Sequence, residues 1–141
     1  MSELTVQERL QPSLLDRLTD NEPHNQKESR DRRVLSLEKL RQCVLRDLGW
    51  LLNTGDLHQL QALDEYPEVS RSVVNYGVPD LSGQNLSVAD VPRLEQAVRQ
   101  AIIDFEPRIL RQTVRVRAAV NPEEMSHNTL SFEIEGTLWA Q

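Results

Sequence analysis

The sequence predicts an α+β domain: two core helices packed on a small mixed sheet with a C-terminal antiparallel β-hairpin, preceded by a short helical segment on a polar linker. Three observations predict it. Two stretches, 36–53 and 91–105, repeat apolar residues at the spacing of three and four that gives a helix one buried face. From residue 111 the period drops to two, the mark of half-buried strands. Residues 20–33 are almost wholly polar and cannot bury enough surface to order themselves.

Taken in order, residues 8–20 carry a small apolar cluster. Pro12 can open a helical turn, and Leu14, Leu15 and Leu18 then fall on one side of it. A helix of about two turns is marginal alone, so this segment either packs back on its own domain or docks on a partner. The polar stretch after it reads as a linker, dividing the chain into a docking segment with linker at 1–33 and an α+β domain at 34–141. Arg30, Arg32 and Arg33, interrupted by Asp31, read as a solvated surface.

Ser36 is a candidate N-cap for the first long helix. Leu37, Leu40, Val44, Leu45, Leu48 and Leu51 form its buried face, broadened by Cys43 and Leu52, while Glu38, Lys39, Arg41, Arg46 and Asp47 mark the wet side. Asn53, Thr54 and Gly55 stop it. Cys43 reads as a small core residue, since no base accompanies it. A turn-rich stretch follows, with a short helix at 57–63 and a helical turn over 68–75 opened by Pro67. Gly77 and Pro79 end that turn, with Tyr76 packed and Gly77 supplying an unusual backbone angle. The second long helix is capped by Asp90, tolerates Pro92 in its first turn and stops at Pro107. Its stripe is Val91, Leu94, Val98, Ala101, Ile102 and Phe105, with Ala97 beside it.

In the strand 111–120, Val114, Val116, Ala118 and Val120 alternate with Arg111, Thr113, Arg115 and Arg117. Residues 121–125 make the turn. In 129–139, Leu130, Phe132, Ile134 and Leu138 face inward and Ser131, Glu133, Glu135 and Thr137 outward. A hairpin centred near Glu124 sets Arg115 opposite Glu133, Arg117 opposite Ser131 and Arg111 opposite Thr137. Facing opposite charges contribute about 0.2–1 kcal/mol per pair.

Composition excludes several classes. The chain has 141 residues, 38% hydrophobic and 27% charged, with a net charge of -6. A nucleic-acid-binding domain is usually basic, which argues against that class. No apolar run approaches the roughly 18 residues of a membrane span. The N-terminus lacks the basic and apolar regions of a signal peptide, so the chain is expected in the cytoplasm, where its single cysteine suits a reducing environment. His24, His58 and His127 have no metal-ligand spacing to one another or to Cys43. The five glycines form no phosphate loop, and no nucleophile elbow is present. No cofactor and no catalytic residue is predicted.

Four segments, in order, carry a family resemblance: Pro12-Ser13-Leu14-Leu15-Asp16-Arg17-Leu18, Gly49-Trp50-Leu51-Leu52-Asn53-Thr54, Ser72-Val73-Val74-Asn75-Tyr76-Gly77-Val78-Pro79-Asp80-Leu81 and Phe105-Glu106-Pro107-Arg108-Ile109. Together they resemble the TssE proteins of bacterial type VI secretion systems. The last segment is similar to a signature of the wider baseplate wedge family of contractile phage tails. The resemblance implies a small α+β structural subunit with no enzymatic activity. It implies a place in a baseplate wedge at the cytoplasmic face of the inner membrane, with TssF, TssG and TssK as partners and a part in starting the TssB–TssC sheath. The acidic charge and the lack of a long apolar run predict no nucleic acid and no insertion into the membrane. The alternatives are a regulatory adaptor of the same fold and a cell-wall hydrolase; the missing signal peptide argues against the hydrolase.

Candidate partner-binding residues follow. Leu14, Leu15 and Leu18 are the anchors of the N-terminal segment. Glu106, Pro107 and Arg108 form a corner where Pro107 turns the chain, and the two charges either pair locally or project toward a partner's charged groups. Thr137 and Trp139 lie on the last strand, whose free edge would be a template for an added strand.

Overall fold

A computed structural model of the chain describes residues 10–19, 23–24, 35–80, 90–119 and 131–139. Among the described residues there are four helices: α1 (Leu14–Leu18), α2 (Leu37–Leu52), α3 (Pro67–Ser70) and α4 (Val91–Phe105). Two strands follow, β1 (Arg115–Ala119) and β2 (Ser131–Glu135). The fold is α+β and ends in an antiparallel hairpin, as the change of period predicts. Among the described residues the sheet is this pair of strands, and parallel pairing is confined to one isolated bridge between Gly55 and Val78.

The ends of α2 show why it starts and stops where it does. The Ser36 hydroxyl accepts from the Lys39 amide at 3.1 Å, the expected cap. At the other end the Asn53 side-chain amide donates to the Gly49 carbonyl at 2.7 Å, and the Thr54 hydroxyl to the Trp50 carbonyl at 2.7 Å. Those carbonyls would otherwise lack partners. In α4, Pro92 sits in the first turn and the helix ends at Phe105, before Pro107. Asp90 stands at the N-cap but its side chain makes no capping bond, contrary to expectation. Its φ of -82° and ψ of -20° are helical, whereas a capping residue is extended.

The core lies where α2, α4 and the inner face of the hairpin meet. Leu40, Leu51 and Ile102 are its largest fully buried side chains, each worth about 1.5–3 kcal/mol of burial. Val44, Leu48, Val98, Ala101, Ile109 and Val114 complete it, with Phe132, Ile134 and Trp139 packed against it. Cys43 is buried, as expected of a small core residue. Leu37 and Leu45 are exceptions to the expected stripe and are about half exposed. Leu37 precedes the first buried residue, Leu40, and Leu45 lies a further ~100° round the helix from Val44.

The middle of the chain is more turn than helix. A 3-10 turn, Leu57–Gln59, replaces the short helix expected at 57–63, and a second, Val73–Asn75, follows α3. Asn75 ties the two turns together. Its side-chain carbonyl accepts from the Leu57 amide and its side-chain amide donates to the Ser70 carbonyl, each at 2.9 Å. Gly77 has a φ of +143°, outside what a side chain tolerates. A Cβ there would lie 2.5 Å from the Thr54 carbonyl oxygen and 2.8 Å from the Asp56 nitrogen. That close approach lets Val78 exchange main-chain bonds with Thr54 and Asp56.

The hairpin keeps the predicted faces but not the predicted register. Arg115 lies opposite Glu135, Val116 opposite Ile134, Arg117 opposite Glu133 and Ala118 opposite Phe132. The partners are displaced by two residues from the expected pairing. A shift of two preserves every side chain's face. It also exchanges one Arg–Glu pair for two and sets small Ala118 against large Phe132. The strand is shorter than expected, because Arg111–Thr113 forms a 3-10 turn. Val120, the turn 121–125, and 129–130 lie outside the described residues.

Candidate functional site

Described residues of all four segments that carry the family resemblance come together around one ion cluster. Pro107 ends α4 and turns the chain so that Glu106 folds back over the turn. Its Oε1 accepts from the Arg108 amide at 3.1 Å and from Arg108 Nε at 2.7 Å, and its Oε2 from Arg108 Nη2 at 2.6 Å. Arg108 Nη2 also donates to Asp47 on α2 in a very short contact. Glu106 is only 3% exposed. Of the two readings of this corner, local pairing is the one seen: the two charges pair with each other, Glu106 buried and Arg108 part-buried. Burial works against the charge of Arg108, but Glu106 and Asp47 outweigh it and raise its pKa above the ordinary arginine value. A fork of this kind suits arginine and not lysine.

Arg46 and Asp47, expected on the wet side of α2, belong to this cluster. Arg46 Nε donates to Asp47 Oδ1 at 2.8 Å, its Nη1 meets Asp16 of α1 at 2.8 Å, and its guanidinium lies 5.1 Å from the Trp50 ring centre. The helical spacing held a signal for Asp47: it stands three after Val44 and four before Leu51, inside the buried stripe. No pattern marked Arg46. The turn at 75–80 borders the same cluster. Tyr76 packs edge-on against Phe105 with centroids 5.2 Å apart. Burial first, and then the carboxylates of Asp47 and Glu106, push its phenol pKa up.

Asp16 links α1 to this corner. The Ser13 hydroxyl caps α1 and donates to Asp16 Oδ2 at 2.6 Å. Burial opposes ionisation of Asp16. The Ser13 hydroxyl, Arg46 and the Cys43 thiol outweigh it and hold the carboxyl below its ordinary value. Leu14 and Leu18, by contrast, are 71% and 74% exposed, and Leu15 is exposed as well. The small helix therefore turns its acidic side inward and its leucines outward. Leu10 packs on the core and its carbonyl accepts from the Leu35 amide at 2.9 Å, which closes the segment onto the domain.

The end of the chain departs from the expected free edge. The Thr137 amide donates to the Thr113 hydroxyl, and the Thr137 carbonyl accepts from the Leu110 amide, each at 2.9 Å. The Trp139 amide donates to the Arg108 carbonyl at 2.9 Å. Thr137 is thus part-buried with both main-chain groups used, and Trp139 packs on the core.

The hairpin has two unlike edges. On β1 the Ala118 amide points outward and donates to Glu95 at 2.7 Å, while Arg99 donates to the Val114 carbonyl at 3.0 Å. Both clasping residues belong to α4, one turn apart. With Ala118 pointing away from β2, its neighbour Phe132 is in a non-hydrogen-bonded pair, as is Ile134. Their main-chain groups face the outer edge of β2, and among the described residues nothing pairs with them. Phe132 and Ile134 also line an open groove of about 670 Å³. Its other walls are Leu52–Gly55, Val78–Asp80, Leu94 and Val98.

Among the described residues no group of His, Cys, Asp and Glu is arranged to hold a metal, and no helix is long and apolar enough to cross a membrane. The family model described as baseplate wedge protein gp25 matches residues 38–141. Comparison with curated proteins gives no match, and neither does comparison with solved structures.

Proposed function

We infer that this chain, which belongs to the baseplate wedge protein gp25 family, is a TssE-type structural subunit of a type VI secretion baseplate. In this reading it joins TssF, TssG and TssK in the wedge at the cytoplasmic face of the inner membrane and helps to start the TssB–TssC sheath. The observation that carries the sheath role is the asymmetry of the hairpin. β1 is clasped by Glu95 and Arg99, while Phe132 and Ile134 on β2 offer main-chain donors and acceptors beside an open groove. A strand from a sheath subunit, laid along β2, gains main-chain hydrogen bonds from the edge and seats alternate side chains in the groove. Leu14, Leu15 and Leu18 supply a separate apolar contact to the wedge. The cluster around Glu106 and Arg108 holds the corner between them in shape.

Amide exchange in the full-length chain, with and without TssB–TssC, tests the reading. The amides of Phe132 and Ile134 are expected to slow by about ten-fold or more when sheath protein binds, while that of Ala118, already bonded to Glu95, stays unchanged. Sheath binding without protection at Phe132 and Ile134 would place the contact elsewhere.

A further inference from the structure

Helix α1 is built the wrong way round for a surface helix. A helix at the edge of a domain ordinarily turns its apolar side to the core; this one buries a carboxylate and exposes leucines. At five residues it cannot hold itself together. Its connections to the body are few. Asp16 meets Arg46 Nη1 at 2.8 Å and lies 3.9 Å from Arg108 Nη1, a buried nitrogen with no hydrogen-bond partner among the described residues. The Asp16 side chain is only 7% exposed. Beyond that, the Cys43 thiol meets Asp16, Leu10 packs on the core and the Leu10 carbonyl bonds to the Leu35 amide.

We propose that Asp16 is an electrostatic latch. It holds α1 against the Arg46–Arg108 corner, and so fixes where Leu14 and Leu18 point. The leucine face and the Glu106–Pro107–Arg108 turn are then one unit: while Asp16 is engaged, α1 is presented in a fixed orientation, and when it lets go, α1 is free of the body. The charged groups that meet Asp16 are Arg46 and Arg108, and those two are themselves shared with Asp47 and Glu106. Because the attachment is ionic and the core is apolar, removing the charge should release α1 and leave the α2–α4 core intact. That the leucines dock on a wedge protein is the reading given above, and the latch deepens it.

The test uses the isolated full-length chain. The reporters are the Arg17 and Thr19 amides, bonded to the Ser13 and Leu15 carbonyls, with the Ile102 amide in α4 as control. In Asp16→Asn, exchange at Arg17 and Thr19 should quicken by about ten-fold or more, the scale of a lost charge-assisted contact, with Ile102 unchanged. Arg46→Gln should do the same from the other side. Unchanged exchange at Arg17 and Thr19 in both variants overturns the latch, and so does an equal acceleration at Ile102. The double change Leu14→Ser with Leu18→Ser separates the latch from docking. It should leave the reporters as they are; if it also leaves binding to TssF and TssG unchanged, docking falls and the latch stands.

Discussion

Replacing Arg108 with alanine measures what the ion cluster contributes to the fold. In the native chain its guanidinium answers two carboxylates at once, Glu106 through a two-point fork and Asp47 across from α2. Without it, the nearly buried Glu106 keeps only the Arg108 amide as a listener and faces Asp47 with no cation between them. Removing one partner of a buried pair costs about 3–5 kcal/mol, because the other charge is left uncompensated. A small domain is stable by only about 5–15 kcal/mol, so the variant should be much weakened. At roughly 4 °C per kcal/mol for a body of this size, the melting temperature should drop by about 10–20 °C. Urea denaturation followed by circular dichroism supplies the free energies. A double-mutant cycle of Glu106→Ala and Arg108→Ala should give a coupling well above the ~0.5 kcal/mol expected of independent sites. Strict additivity, or a loss below the ~1 kcal/mol typical of an exposed pair, would refute the buried-cluster reasoning.

Three further outcomes are expected. Gly77→Ala forces a Cβ against the Thr54–Asp56 backbone at a φ of +143° and should destabilise the chain by about 2–3 kcal/mol in the same urea assay; a neutral result would mean the turn opens freely. Thr137→Pro removes the amide that donates to the Thr113 hydroxyl. It should lower stability by at least about 1 kcal/mol, so failure of sheath assembly with native stability would contradict the internal pairing. Lowering the pH tests Asp16, whose folded pKa lies below its ordinary 3.8. Its contribution is fully present above the unfolded value and disappears as the pH falls through the lower folded value. Asp16→Asn should therefore lose less stability than the wild type between about pH 5 and pH 2, where a carboxylate titrates; parallel curves would count against it.

How far the sequence could be read depends on whether a feature is local. The helices were legible because their stripes are strongly periodic, and the Ser36 cap was legible from residue type. Hairpin faces were legible because the strand period is two, but parity fixes the face and not the offset, so the register slipped by two. The candidate site was legible only in outline. Glu106 and Arg108 stood out through resemblance, yet their burial depends on Asp47, 61 residues away from Arg108, and no local pattern announces such a partner. Asp16 was invisible for the same reason, although Ser13 three residues earlier marks it as part of a cap. Thr137 looked outward by alternation, but the turn at Arg111–Thr113 returns to meet it.

The clasp formed by Glu95 and Arg99 has a consequence for how copies of this chain behave in company. A two-stranded ribbon with both rims bare could be bridged on either side, and identical molecules could zip into an endless sheet. Here α4 occupies one rim at Val114 and Ala118. The ribbon resembles a primer with a single growing end: a strand can be laid on it once, on one flank, and two copies cannot join through their β1 flanks. Removing the clasp with Glu95→Ala and Arg99→Ala would turn a terminator into a second starting point.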